Sequence, residues 1–312
     1  MLKRGSIPIA VLLVLVVLLS ASSGLYAGAS FFAQQAPVTV TTTILTTTTS
    51  WTTSTLWSTV TAVVLGVWTT VQYTTSTSTV TVTGSTTPRA AKAVTAYGNA
   101  RISTAQSRFG GASGVFNGNG AYLSTPDSVD WAFGAGDFTI DFWVRFNAIP
   151  TVGNYMQLYI QRETDGANEH SFSFYNDGVY GQWRVYVEVS GSLLLNIGRP
   201  SHGIVLGTWY HIAYVRSGNN LRIFENGVQC GTDISFSSAM PDAAIQLEIG
   251  RNPYSGGVRY FNGWLDEFRV SKGVARWTSN FTPPTSAPTG DSNTVLLLHM
   301  DGVDGSNTFI DG

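Results

Sequence analysis

Residues 93–284 form a succession of short apolar and aromatic runs cut by glycine and asparagine, and no part of it sustains the 3.6-residue apolar period of an amphipathic helix. That pattern limits the fold more than any other feature of the chain. In FTIDFWVRF, Phe138, Ile140, Phe142, Val144 and Phe146 alternate onto one face of a strand. Residues 183–189, 209–216, 221–224, 244–249 and 264–270 are further aromatic and β-branched runs. Asn226-Gly227, set between Phe224 and Val228, is a type I′ hairpin signal, because both central residues of that turn need positive φ. Roughly a dozen short strands separated by such turns predict an all-β fold, a two-sheet sandwich or a jelly roll.

Charge marks where that body begins. Residues 5–88 contain no Asp, Glu, Lys or Arg, whereas 15 basic and 19 acidic residues follow from Arg89 onward. The break divides the chain into a leader (1–5), an apolar helix (6–35), a Thr-rich segment with linker (36–90), the β body (91–290) and a tail (291–312). The net charge of −2 gives no basic footprint for nucleic acid. A single cysteine, Cys230, rules out an intrachain disulfide and any Cys-cluster metal site, and is expected to be a small buried apolar residue.

The N-terminus reads as an export signal. Lys3 and Arg4 precede an apolar run over 7–19, and Ala27-Gly28-Ala29 offers an A-x-A cleavage site. The sequence Lys3-Arg4-Gly5 followed by Ser6 also resembles the processing site of archaeal type IV prepilins. That resemblance implies cleavage between Gly5 and Ser6, with the apolar helix retained as a filament core or membrane anchor. Residues 38–87 hold 23 threonines. A disordered, O-glycosylated stalk is one reading. Trp51, Leu56, Trp57, Val63, Val64, Leu65, Val67, Trp68 and Tyr73 favour the other, short strands that bury a small apolar surface. Residues 56–71 fall short of the ~18 clean apolar residues of a membrane span.

Four blocks of the body resemble the laminin G-like (concanavalin A-type) jelly-roll family. They are FGGASGVFNGNGAYLSTPDS (109–128), GDFTIDFWVRF (136–146), GTWYHIAYVRSGNNLRIFENG (207–227) and FNGWLDEFRVSKGVARWTSNFTPP (261–284), in the family's order. The family's opening strand resembles TVLLLH-x-DG, which here stands only in the tail at 294–302. Three readings stay open: a relic of a truncated repeat, a strand completing its own domain, or a strand donated to a neighbouring copy. An apolar run left unpaired would be a strand-pairing hazard, which favours the strand-supplying readings.

Catalysis is not expected. Glycoside hydrolysis needs two carboxylates ~5–9.5 Å apart, and no strand here alternates acidic residues on one face. Asp266 and Glu267 are adjacent, which in a regular strand sends them to opposite faces, and Asp141 stands alone. His170, His202, His211 and His299 show no metal-type spacing, and there is neither a Gly-x-Ser-x-Gly elbow nor a Cys with a nearby His. The resemblance does imply a structural calcium, with Asp266, Asp301, Asp304 and Asp311 as oxygen donors. Asn117 and Ala121, standing where relatives often carry Asp, weigh against it. Loop aromatics beside amides suit hydroxyl-rich ligands: Tyr175, Asn176, Asp177 and Tyr180 in one loop, Asn252, Tyr254 and Tyr260 in another. Asn280-Phe281-Thr282 is an N-glycosylation sequon followed by proline.

The expectation is an exported, non-catalytic cell-surface adhesion protein without a cofactor beyond that calcium. Its partners would be surface glycans or another cell surface, with self-association into a pilus-like filament and membrane contact through the N-terminal helix. A structural building block assembled by strand donation from 291–312, or a simple secreted lectin-like module, are the alternatives.

Overall fold

The computed structural model describes residues 90–164, 166–253 and 259–312. The chain divides into two units, Met1–Ser85 and Thr86–Gly312. The apolar helix, the Thr-rich segment, the Gly5/Ser6 processing site and Tyr254 lie outside the described residues. Among the described residues, no helix is long and apolar enough to cross a membrane.

Strands β1 (Thr95–Tyr97), β2 (Arg101–Ser103), β3 (Ser113–Asn117), β4 (Tyr122–Thr125), β5 (Phe138–Phe146) and β6 (Tyr155–Arg162) come first. Next are β7 (Glu169–Tyr175), β8 (Gln182–Val189), β9 (Ser192–Pro200), β10 (Trp209–Ser217), β11 (Asn220–Glu225) and β12 (Val228–Gln229). Then follow β13 (Ile234–Ser235), β14 (Leu247–Ile249), β15 (Arg251–Asn252), β16 (Arg259–Tyr260), β17 (Asn262–Lys272) and β18 (Thr294–Leu298). One sheet has seven strands in the order β1-β4-β14-β6-β7-β8-β9. The other has nine: β12-β11-β10-β5-β17-β3-β2, with β13 added to β11 and β18 to β17. The pairings within both sheets are antiparallel, as a jelly-roll sandwich requires.

The period-two pattern of β5 decides the core. Phe138, Ile140, Phe142, Val144 and Phe146 all enter one buried cluster with Phe172, Phe174, Trp183, Val185 and Tyr214. Phe172 stacks on Trp183 at 5.8 Å and on Tyr214 at 5.2 Å, so aromatic faces join the two sheets. Each such ring contributes about 1.5–3 kcal/mol by leaving water. The I′ turn forms as expected, with Asn226 at φ 51° and Gly227 at φ 78°. Cys230 is free and buried.

The outer face of the nine-stranded sheet is itself covered. Trp277 and Phe281 stack at 4.2 Å and, with Ala275, pack on Ala213, Val215 and Phe224. A backbone bond from Phe281 N–H to Gly227 O pins this cover to the hairpin turn. On that face Arg269 donates to both oxygens of Asp141 at 3.0 and 2.9 Å, with His211 Nε2 at 3.4 Å.

The tail is paired within its own chain. One half of β17 pairs with β3 and the other half with β18, Phe268 opposite Leu298 and Val270 opposite Leu296. Leu296 and Leu298 are fully buried in the core cluster. Beyond β18 the chain runs along β2, exchanging Ile102 N–H to Ser306 O and Gly305 N–H to Ile102 O. Asp311 then accepts from Lys92 N–H at 2.6 Å, bringing the tail's end to the start of the β body.

Candidate functional site

The outer face of the seven-stranded sheet is covered in part by β15 and β16, whose Asn252 bonds Tyr155 and Gln157 and whose Arg259 lies over Tyr155. Alternation places Tyr155 and Gln157 of β6, Glu169, Ser171, Ser173 and Tyr175 of β7, and Arg184, Tyr186 and Glu188 of β8 outward, while Phe172, Phe174, Trp183, Val185 and Val187 point into the core. All of these outward residues but Tyr175, with Arg162, Asn196 and Arg259, line a cleft of about 530 Å³, within the size range of small-ligand sites.

Arginine and tyrosine recur across this face. Arg184 lies over Tyr175 at 4.7 Å, Arg259 over Tyr155 at 4.2 Å and Arg251 over Tyr122 at 4.5 Å, while Tyr97 and Tyr122 stack at 4.5 Å. Such cation–π contacts hold the rings in fixed planes. Two carboxylates anchor the floor. Glu169 and Glu188 are direct cross-strand partners. Glu169 pairs with Arg162 at 3.1 Å and accepts from Ser171 Oγ, and Glu188 accepts from Tyr186 Oη at 2.8 Å. Burial pushes the Glu169 carboxyl up and Glu188 adds to the rise, against the pull of Ser171 and Arg162. Burial and the Glu188 hydrogen bond push the Tyr186 phenol up to about 12. The arrangement presents ring faces, guanidinium donors and carboxylate acceptors, the chemistry that hydroxyl-rich ligands use.

Of the residues singled out by sequence, Tyr175 lies at the end of β7 against Arg184, and Tyr260 sits 6.5 Å from the Tyr122 ring. Asn176 and Asp177 are spent on their own turn. Asn176 donates to Pro150 O, and Asp177 accepts from Val179 N–H and Gly181 N–H, which holds its carboxyl below the usual range. Tyr180 is exposed. Asn252 is not a loop contact: it is buried, and its amide donates to Tyr155 Oη and Gln157 Oε1. Asn280 is exposed, its Oδ1 accepting from Gln229 N–H. Sequence reading passed over Tyr155, Arg162, Glu169, Arg184, Tyr186 and Glu188. Their signal was present as polar alternation opposite the apolar one in β7 and β8. The Glu169–Glu188 pairing also escaped a search confined to single strands.

A second acidic locus lies where β17 is irregular. The register with β5 shifts between Asp266 and Arg269, and Glu267 has φ 53°. This bulge removes the simple alternation that would separate Asp266 and Glu267. Both are buried, and both act electrostatically on His299 together with Asp301. Asp266 accepts from Arg108 N–H and Phe109 N–H, yet burial, Glu267 and Asp301 drive its carboxyl up to about 8. Glu267 Oε2 meets His299 Nδ1 at 2.6 Å, and Glu267 Oε1 is buried with no hydrogen-bond partner. Asp266 also accepts from Glu267 N–H and Asp301 accepts from Ala112 N–H, and among the described residues these carboxylates do not gather three ligand atoms within 4.8 Å of one another, so they do not fit the calcium site that the resemblance implies. Asp304 does not join them; it accepts from Thr104 N–H at 2.9 Å. Asp311 is engaged by Leu297 N–H and Lys92 N–H.

The two antiparallel sheets define a jelly-roll sandwich. Residues 117–278, more than half of the chain, match the family model of the concanavalin A-like lectin/glucanases superfamily, and the chain belongs to that superfamily. This agrees with the laminin G-like resemblance read from the sequence. No curated protein matches the chain. Among solved structures, it is similar to domain 4 of AbnA, an extracellular arabinanase from Geobacillus stearothermophilus in complex with arabinotriose: 18% identity, 59% of this chain and 83% of that one, TM-score 0.45. A putative carbohydrate binding protein from Bacteroides ovatus gives 16% identity over 72% and 58%, TM-score 0.44. Tailspike protein 2 of an Escherichia coli O157:H7 bacteriophage gives 11% over 70% and 31%, TM-score 0.47. At these scores the likenesses carry no argument about function.

Proposed function

We propose that the protein is an exported, non-catalytic surface protein that binds glycans through the open face of its seven-stranded sheet. The observation that carries this is the cleft itself: tyrosines beside arginine and carboxylate groups, on the outer face of the seven-stranded sheet. Adhesion is the role such a surface serves on a cell exterior, and the N-terminal apolar segment would hold it there as an anchor or a pilus-like filament core. The building-block alternative gains less support, because the tail strand is already paired in its own chain.

The experiment is a glycan array probed with the full chain and with Tyr155→Ala, Arg184→Ala and Tyr186→Ala. Binding that these variants lose, at unchanged thermal stability, supports the reading. Binding that survives all three places the ligand elsewhere, and an array with no hits removes glycans as partners. One observation favours a second reading, glycoside hydrolysis: Glu169 and Glu188 face each other across strands, and the raised Glu169 has the character of a general acid. Release of reducing ends by the wild type but not by Glu169→Gln would establish it.

A further inference from the structure

Several of the domain's buried carboxylates are paired with arginine: Asp141 with Arg269, Glu169 with Arg162 and Glu248 with Arg251. Glu225, at the end of β11, is not. It is 2% exposed and accepts from Trp183 Nε1 at 2.7 Å and His202 N–H at 3.2 Å, with no Lys or Arg in ion-pair contact among the described residues. A buried carboxylate without a counter-charge is costly. What faces it instead is a set of metal-ligand groups. His202, just beyond β9, and Cys230, just beyond β12, join Glu225 with one donor atom from each within 4.8 Å of the others. His202 Nδ1 is 3.7 Å from Glu225 Oε1.

We propose that His202, Glu225 and Cys230 form a binding site for a zinc-class divalent transition metal. The donor set of one sulfur, one imidazole nitrogen and one carboxylate oxygen selects such an ion over calcium or magnesium. Zinc–ligand bonds of about 2.0–2.3 Å need donors roughly 3.5 Å apart, so the cluster must close by about 1 Å. The His202 side chain, 44% exposed, is the member with room to move and leaves a path from solvent. Three protein ligands leave a fourth position for water. Metal binding forms the metal–sulfur bond as the sulfur–hydrogen bond breaks, the proton passing to solvent and no electrons being transferred. The ion would supply Glu225 with its missing counter-charge. It would also tie down the His202 loop, whose neighbour Ser201 donates to Tyr180 O.

Cobalt(II) titration of the full chain tests this, because Cys230 is its only thiol. The expected result is a thiolate-to-cobalt charge-transfer band that zinc displaces, with release of one proton per metal bound. Cys230→Ser should abolish the band. His202→Ala, on an exposed side chain that the fold does not need, should weaken cobalt binding by more than the ~10–100-fold that loss of an outer-shell partner costs. No charge-transfer band in the wild type would overturn the site. So would His202→Ala binding cobalt as tightly as the wild type.

Discussion

Leu298→Ala probes the tail strand on which the fold closes. Leu298 is fully buried in the core cluster, opposite Phe268 on β17 and bridged to Asp311 on its other side. With backbone partners on both flanks, β18 has little freedom to collapse into the space a truncated side chain leaves. Buried Leu→Ala changes cost about 2–5 kcal/mol, and restricted collapse places this one near 4 kcal/mol. For a domain of this size that lowers Tm by about 8–16 °C. Thermal and urea unfolding of the full chain measure it, with Val303→Ala as control: Val303 lies in the same tail but is 79% exposed, so it should stay within about 0.5 kcal/mol. Because the strand pairs within its own chain, Tm should not change over a ~100-fold range of protein concentration, whereas exchange between chains would make it rise. A loss below about 1 kcal/mol would mean that the tail is not part of the core. A concentration-dependent Tm would mean that the strand comes from a neighbour. Either result refutes the closure argued here.

Calcium and a chelator should each leave Tm unchanged, because Asp266, Glu267 and Asp301 do not gather as a donor cluster; a rise of about 5–10 °C at a hundredfold excess over Kd, lost in Glu267→Gln, would show that this locus takes the ion. Asp141→Leu, which strands Arg269 on the buried face, should cost about 3–5 kcal/mol in urea unfolding, and adding Arg269→Met should recover most of it; a double variant as unstable as the single would contradict the pairing. Glu169 has a raised carboxyl, so its contribution to stability is present below the ordinary carboxylate range and is lost as pH rises through the raised value. Glu169→Gln should therefore gain in Tm relative to the wild type between pH 4 and 7; a relative fall would show that the Arg162 pair outweighs burial.

The way each feature was encoded explains which were legible. The inward face of β5 and the Asn226-Gly227 turn are local, written in a period of two and in a dipeptide with positive φ, and both read directly from sequence. The outward face of β7 and β8 is equally periodic, but in the sequence it is the clusters of aromatics beside amides, with Tyr175, Tyr180 and Tyr260, that stand out as surfaces for hydroxyl-rich ligands. Here the broad face of the sheet carries the cleft, and Asn176, Asp177 and Asn252 are consumed in holding backbone and neighbours. What sequence could not give depends on register. Glu169 faces Glu188 only because β7 and β8 pair as they do. The bulge at Glu267 likewise undoes an alternation that a regular strand would obey.

The same logic governs the three acidic loci, and it separates their chemistry. Burial alone would raise the Asp141 carboxyl, but the His211 hydrogen bond and the bidentate Arg269 together hold it below the usual range. It is saturated and under a cover of Trp277 and Phe281, so it has structural work and no access. Asp266 and Glu267 meet no arginine either: burial, Glu267 and Asp301 drive the Asp266 carboxyl up to about 8, so it keeps its own proton, and Glu267 is held by the His299 imidazole. Glu225 also lacks an arginine, and its neighbours are sulfur and imidazole, which suit a soft cation. A buried carboxylate is offset by a charge or keeps its proton, and the groups around it decide which. Cobalt binding should therefore depend on Cys230 and not on Glu267: Cys230→Ser should remove the response and Glu267→Gln should leave it intact, and a loss with Glu267→Gln would show that the metal sits at the bulge of β17.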